Sequence, residues 1–175
     1  MTDPRYPIGK FERRDELNPD ERRAMIETIS AAPSRMREAV AGLGDTQLDT
    51  PYRDGGWTVR QVIHHVPDSH LNAYTRLKLA LTENDPTIRP YDEALWAGLP
   101  DSRDTPTEVS LTLLESLHAR WVTLLRSLGP DDFRRTFRHP DHPGILTVDW
   151  LVAMYAWHSR HHVGHITSLR ERMRW

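Results

Sequence analysis

The sequence predicts an all-α fold, a four-helix bundle. Three observations carry that expectation. Four long stretches repeat apolar residues at spacings of three and four. The second and third of them open on capping-box patterns. Nowhere does the chain alternate apolar and polar residues as a half-buried strand would.

The first stretch opens at Asn18-Pro19-Asp20-Glu21. Asparagine caps well, proline suits the first helical position, and early acids complement the helix dipole. Met25, Ile29, Ala32, Met36, Val40 and Leu43 form its stripe, with a kink expected at Pro33 and an end at Gly42 or Gly44. The second opens at Thr58-Val-Arg-Gln61, with Trp57 and Val62 as a hydrophobic staple, and continues through Val59, Val62, Val66, Tyr74, Leu77 and Leu81. Pro67 predicts a kink near residues 63–67. Residues 84–105 form a long connection rich in proline and acid, in which Asp92 to Leu99 can make a short helical turn. The third helix is expected to start from the capping box Thr105-Pro-Thr-Glu108. It runs through Leu113, Leu117, Trp121, Leu124 and Leu128 to a stop at Gly129-Pro130. Residues 129–146 show no periodicity. The last helix spans about Val148 to Arg172, with Leu151, Met154, His158, His162, His165 and Leu169 on one stripe.

At 175 residues the length favours a single domain, 1–175. No run of apolar residues reaches membrane-spanning length, and the N-terminus lacks the apolar core of a secretory signal, so the expected location is cytoplasmic, without a membrane partner. Cysteine is absent, which removes disulfides, iron–sulfur clusters and thiolate zinc fingers. With Lys+Arg at 23 against Asp+Glu at 25, no basic excess points to nucleic acid.

Ten histidines are present, and four of them fall within residues 158 to 165. Positions four apart on a helix differ by about 40° in direction. His158 and His162 therefore share the core-facing stripe one turn apart. His165 stays near it and His161 lies at its margin. Two imidazoles so placed can hold one divalent ion and need a third donor. His65 is the best candidate, because Val62 and Val66 beside it face the core. His64 points about 100° away, toward solvent or a neighbouring helix. His70, beyond the expected kink, is a weaker alternative, and the loop residues His139 and His142 are not demanded by the spacing. The competing reading is a set of core histidines satisfied without metal; several inward imidazoles make that costly, since each needs partners that one ion supplies together. A HExxH protease helix is absent, because Ser159 stands where its glutamate would be. Asp68 is a candidate to orient the His65 ring, against the ordinary reading of a solvated helix acid. Tyr91, Asp92, Glu93 and Trp96 either cover the site or pack their loop. Ser159 and Arg160 are expected at the surface, and His161 and His165 in the core or at a dimer interface.

The run WTVRQVIHH at 57–65 followed by DSH, together with WHSRHHVGHI at 157–166, resembles the DinB superfamily of four-helix metalloproteins. Within it, YPIGKF at 6–11, YTRLKLALTEN at 74–84 and IRPYDEALW at 88–96 are similar to the YfiT-type subgroup, so the likeness spans residues 6 to 170. Pro67 departs from the family pattern and bears on local helix geometry. The resemblance implies a divalent metal, zinc or nickel, on three histidines that correspond here to His65, His158 and His162. It also implies a homodimer and a metal-dependent hydrolase, or an enzyme that uses the metal to activate a low-molecular-weight thiol such as bacillithiol or mycothiol for S-transfer. Three protein ligands leave coordination positions open, as in a catalytic site. A divalent ion held by neutral imidazoles keeps its charge and acidifies a water or a thiol that enters. The expected function is thus a metal-dependent hydrolase or thiol S-transferase acting on a small molecule; the alternative is a non-catalytic helical metal- or ligand-binding protein. No catalytic side chain beyond the three histidines is marked by the sequence.

Overall fold

The computed structural model describes residues 3–175. In chain order its elements are α1 (Pro19–Val40), α2 (Asp45–Leu48), α3 (Val59–Thr82), α4 (Glu93–Ala97), α5 (Asp101–Asp104), α6 (Thr107–Ser127), α7 (Pro130–Phe133), β1 (Thr136–Phe137), β2 (Leu146–Thr147) and α8 (Val148–Met173). The four long helices make a bundle. α1 packs on α8 and α6, and α3 packs on α6 and α8. Successive long helices α1 and α3 therefore lie across one diagonal, and α6 and α8 across the other. A diagonal link has to cross an end of the bundle, as segments 41–58 and 128–147 do.

Two apolar clusters fill the interior. One gathers Ile26 and Ile29 of α1, Ala73 and Leu77 of α3, Trp121 and Leu125 of α6, and Leu151 and Ala156 of α8. The other gathers Met36 and Ala39, Val62 and Val66, Leu111 and Leu114, and Ile166 and Leu169 from the same four helices. The start of α1 thus shares a level with the start of α8 and the ends of α3 and α6. Between the two clusters the inward positions are largely histidines. The N-terminal segment lies along α8: Trp157 Nε1 donates to the Gly9 carbonyl at 3.2 Å. A Cβ on Gly164 would stand 3.1 Å from Pro7 and 3.2 Å from Ile8, so the N-terminal segment packs tightly over the glycine.

Local signals account for most boundaries. Asn18 accepts from the amides of Asp20 and Glu21, and Glu21 returns to the Asn18 amide, a full capping box. Thr58 and Gln61 form the same reciprocal pair at α3. α1 and α3 continue through Pro33 and Pro67; both prolines are buried in the bundle, where packing outweighs one missing backbone hydrogen bond. α1 stops at Val40, and Gly42, with its φ of +77°, closes it as expected. Other expectations are corrected. The capping box at Thr105 does not form: Pro106 is the N-cap of α6, without a side-chain bond, and Thr105 ends α5. Glu108 instead pairs with Arg37 across the helix interface at 2.7 and 2.8 Å. Two short strands do exist, antiparallel, with Thr136 opposite Thr147 and Phe137 opposite Leu146. Two residues are too few for alternation to register in sequence. Among the described residues no helix is long and apolar enough to cross a membrane.

Candidate metal centre

The turn from Thr58 into α3 sets the phase that carries His65 inward beside Val62 and Val66, and the unbroken α8 brings His158 and His162 to the same level. One ring nitrogen from each of His65, His158 and His162 lies within 4.8 Å of the others. His158 and His162 face each other through Nε2 atoms 3.2 Å apart. The His65 ring centroid is 4.9 Å from that of His162 and 5.6 Å from that of His158.

All three rings are held neutral. Burial lowers the His65 pKa to about 4. Burial, then the neighbouring imidazoles, holds His158 and His162 well below the ordinary histidine value. Neutral rings offer lone pairs, and three lone pairs converging in an apolar interior are costly unless something electropositive lies between them. His162 Nδ1 is itself buried without a partner. The donor set is therefore one that a first-row divalent ion fits, with positions left for a ligand.

Those positions would open on a cavity of about 420 Å³ whose wall includes the three histidines, Trp57, Ser69, Arg76, Tyr91 and Tyr155. Ser69 Oγ lies 3.5 Å from both His158 Nε2 and the Tyr155 hydroxyl. Burial raises the pKa values of Tyr91 and Tyr155, so both phenols stay protonated and can donate. Arg76 donates to the Arg89 carbonyl at 3.4 Å, and its Nε is buried without a partner. Glu93, His139, Asp141 and His142 complete the wall toward solvent.

The other histidines divide by role. His70 is fully buried and lies 3.1 Å from His158 Nδ1, so it supports a candidate ligand instead of replacing it. His118, which no sequence signal singled out, lies 2.7 Å from His70. His64 Nδ1 meets the Ser110 hydroxyl of α6 at 2.7 Å, the neighbouring-helix option for that ring. His161 stacks on Trp157 at 4.3 Å, and His165 stacks on Tyr52 at 4.0 Å with Nε2 3.2 Å from the Arg5 carbonyl. His139 and His142 do reach the cavity. Ser159 is buried, not at the surface: its hydroxyl donates back to the Tyr155 carbonyl at 2.7 Å. Arg160 is exposed, as expected. Asp68 has no place in the cavity wall; partial burial, then Asp101, pushes its pKa up to about 6. Tyr91 and Glu93 line the cavity, Asp92 caps α4, and Trp96 packs on Tyr91 at 4.5 Å. Tyr155 and Arg76 were not legible as site residues, because each reads as an ordinary member of a helix.

Known proteins resemble this chain in sequence and in fold. The model of the DinB superfamily matches residues 28–166. The protein named "Putative metal-dependent hydrolase YfiT" from Bacillus subtilis (strain 168) is 49% identical over 170 residues, covering 97% of this chain and 96% of its own. A Bacillus cereus (strain AH820) protein with the same description is 53% identical over 175 residues, all of both chains. The solved structure of YfiT from Bacillus subtilis, described as having an unusual four-helix bundle topology, superimposes with a TM-score of 0.96 at 48% identity, covering 98% of each chain.

Proposed function

The chain belongs to the DinB superfamily, and on that premise we propose that it is a metal-dependent enzyme, a hydrolase or a low-molecular-weight thiol S-transferase, with His65, His158 and His162 as the ligands of one zinc or nickel ion. The observation that carries the reading is the convergence of three neutral ring nitrogens within 4.8 Å on the wall of a cavity of about 420 Å³. A divalent ion bound there supplies Lewis acidity that lowers the pKa of a water or thiol entering at its open positions.

The chain's own residues do the rest. Trp57, Phe137 and Leu151 exclude bulk water from one side of the cavity, which strengthens every polar interaction inside it. Tyr155 and Tyr91, kept protonated by burial, offer hydroxyl donors to a substrate oxygen. Arg76 supplies the positive charge of the half-buried wall, suited to a carboxylate or a polarised carbonyl of a small molecule. Ser69 connects this donor group to the histidines. The proposal extends to a cytoplasmic homodimer, with no nucleic-acid or membrane partner.

Two measurements test it. Elemental analysis of untagged protein, purified without chelators or a nickel column, is expected to find about one equivalent of zinc, nickel or a similar ion, lost in His162→Ala. The metal-loaded protein is then assayed on ester and amide panels and on a small thiol paired with an electrophile. Turnover in the first class identifies the hydrolase and in the second the S-transferase. Metal without turnover in either leaves the non-catalytic binding protein, and no metal after reconstitution refutes the reading.

A further inference from the structure

A line of hydrogen bonds crosses the bundle behind the candidate metal centre and touches all four long helices. It begins at the Ile29 carbonyl of α1, 2.7 Å from His118 Nδ1 of α6. His118 Nε2 lies 2.7 Å from His70 Nδ1 of α3. His70 Nε2 lies 3.1 Å from His158 Nδ1 of α8. His70 and His118 are both buried, with 0% and 2% of their surface exposed.

A backbone carbonyl can only accept, so the first bond has one possible sense: His118 Nδ1–H donates to Ile29. A neutral imidazole carries one N–H, which leaves His118 Nε2 as a lone pair. The short contact to His70 is then a hydrogen bond only if His70 Nδ1–H donates. By the same count His70 Nε2 is a lone pair, and His158 Nδ1–H must donate to it. His158 Nε2 is left as a lone pair, and this is the atom that faces His162 across 3.2 Å. Each step follows from the one before, and the opposite sense is closed at Ile29.

We infer that His118 and His70 are positioning residues, which carry the polarity of the Ile29 carbonyl through two imidazoles and set His158 in the one tautomer whose Nε2 can ligate a metal. The inference rests on the ligand assignment proposed above for His158 and adds to it residues that touch neither metal nor substrate. Neutral His70 without this anchor can equally place its N–H on Nε2. It would then direct an N–H at His158 Nδ1 and require the tautomer of His158 that cannot ligate through Nε2.

Substitution at His118 separates polarity from packing. In His118→Gln the carboxamide N–H can still donate to Ile29 and its oxygen can still accept from His70. His118→Leu has a similar bulk and can do neither. Zinc affinity is measured by competition with a chromophoric chelator, with circular dichroism to establish that each variant is folded. The leucine variant is expected to bind zinc about ten- to a hundred-fold more weakly, the usual cost of losing an outer partner of a ligating imidazole. The glutamine variant is expected to stay close to the parent protein. Equal affinity in a folded leucine variant overturns the inference, as does a glutamine variant as weak as the leucine one.

A second readout needs no variant and no metal. In long-range proton–nitrogen spectra of the metal-free protein, His118, His70 and His158 should all appear as Nδ1–H tautomers. His70 or His158 in the Nε2–H form refutes the relay even if the leucine variant fails to fold. A parent protein that takes up no metal, yet shows all three rings as Nδ1–H, keeps the relay and removes the enzyme reading, so the two failures are distinct.

Discussion

His161 and His162 are adjacent in the chain and separated in role by about 100° of helix rotation. His162 faces His158 at 3.2 Å, whereas His161 stacks on Trp157 at 4.3 Å under the N-terminal segment. Two neutral donors hold an ion weakly, so His162→Ala should empty the site and His161→Ala should leave it filled, with elemental analysis of both as the check. Asp149 makes the other strong residue-level prediction. It is 2% exposed, receives Arg22 Nε at 2.7 Å and Nη2 at 2.8 Å, and accepts from the Leu17 amide at 3.1 Å. Asp149→Ala strands the Leu17 amide and leaves the partly buried Arg22 guanidinium without its carboxylate, so the expected loss is about 1–3 kcal/mol in urea denaturation. His65, His158 and His162 were legible because the 3.6-residue period puts paired histidines on a face that the apolar residues identify. His118 was not. A single histidine on an apolar stripe has no partner in the sequence, and only the packing of α6 against α3 and α1 brings His70 and Ile29 to its two nitrogens.

At the scale of elements, two threonines with the same sequence pattern behave differently. Thr58 accepts from the Gln61 amide at 3.1 Å and Gln61 returns to the Thr58 amide at 3.0 Å, whereas Thr105 makes no such bond and Glu108 is engaged by Arg37. Thr58→Ala is therefore expected to cost about 1 kcal/mol of stability, and Thr105→Ala close to nothing; matched thermal melts compare them. The difference explains which parts of the fold sequence patterns reach. Long amphipathic helices announce themselves through many residues, and all four were found. A cap depends on one or two side chains that another helix can recruit, as α1 recruits Glu108 through Arg37. Prolines inside α1 and α3 do not end them for a related reason: the penalty at Pro33 or Pro67 is local, and burial of the surrounding turns is the larger effect. The short turn at 93–97 was legible because Asp92 caps it with its own side chain, which accepts from the Leu95 amide at 2.9 Å.

At the scale of the molecule, the histidine layer between two apolar clusters makes the fold depend on those rings staying neutral. His118 shows the sign. Unfolded, its imidazole takes a proton near pH 6.5; buried in the bundle, it does so only near pH 4. Above pH 6.5 both states are neutral and the ring leaves stability independent of pH. Between 6.5 and 4 the unfolded chain holds more protons, so stability falls as pH falls, by roughly 3 kcal/mol for one such ring across the window. His70, fully buried, is lowered further by burial and by its imidazole neighbours, so it adds to the fall in the same direction. Few domains have more than about 15 kcal/mol to lose, so the metal-free protein should unfold cooperatively in mild acid. The layer sharpens this, because its buried histidines come from α3, α6 and α8 and protonating them strains the packing of those three helices together. Urea midpoints measured at pH 7, 6 and 5 should drop progressively, and His118→Gln, which removes one titrating ring while keeping its hydrogen bonds, should flatten the slope. Midpoints that stay level from pH 7 to 5 would show that the layer takes up its protons without opening the bundle.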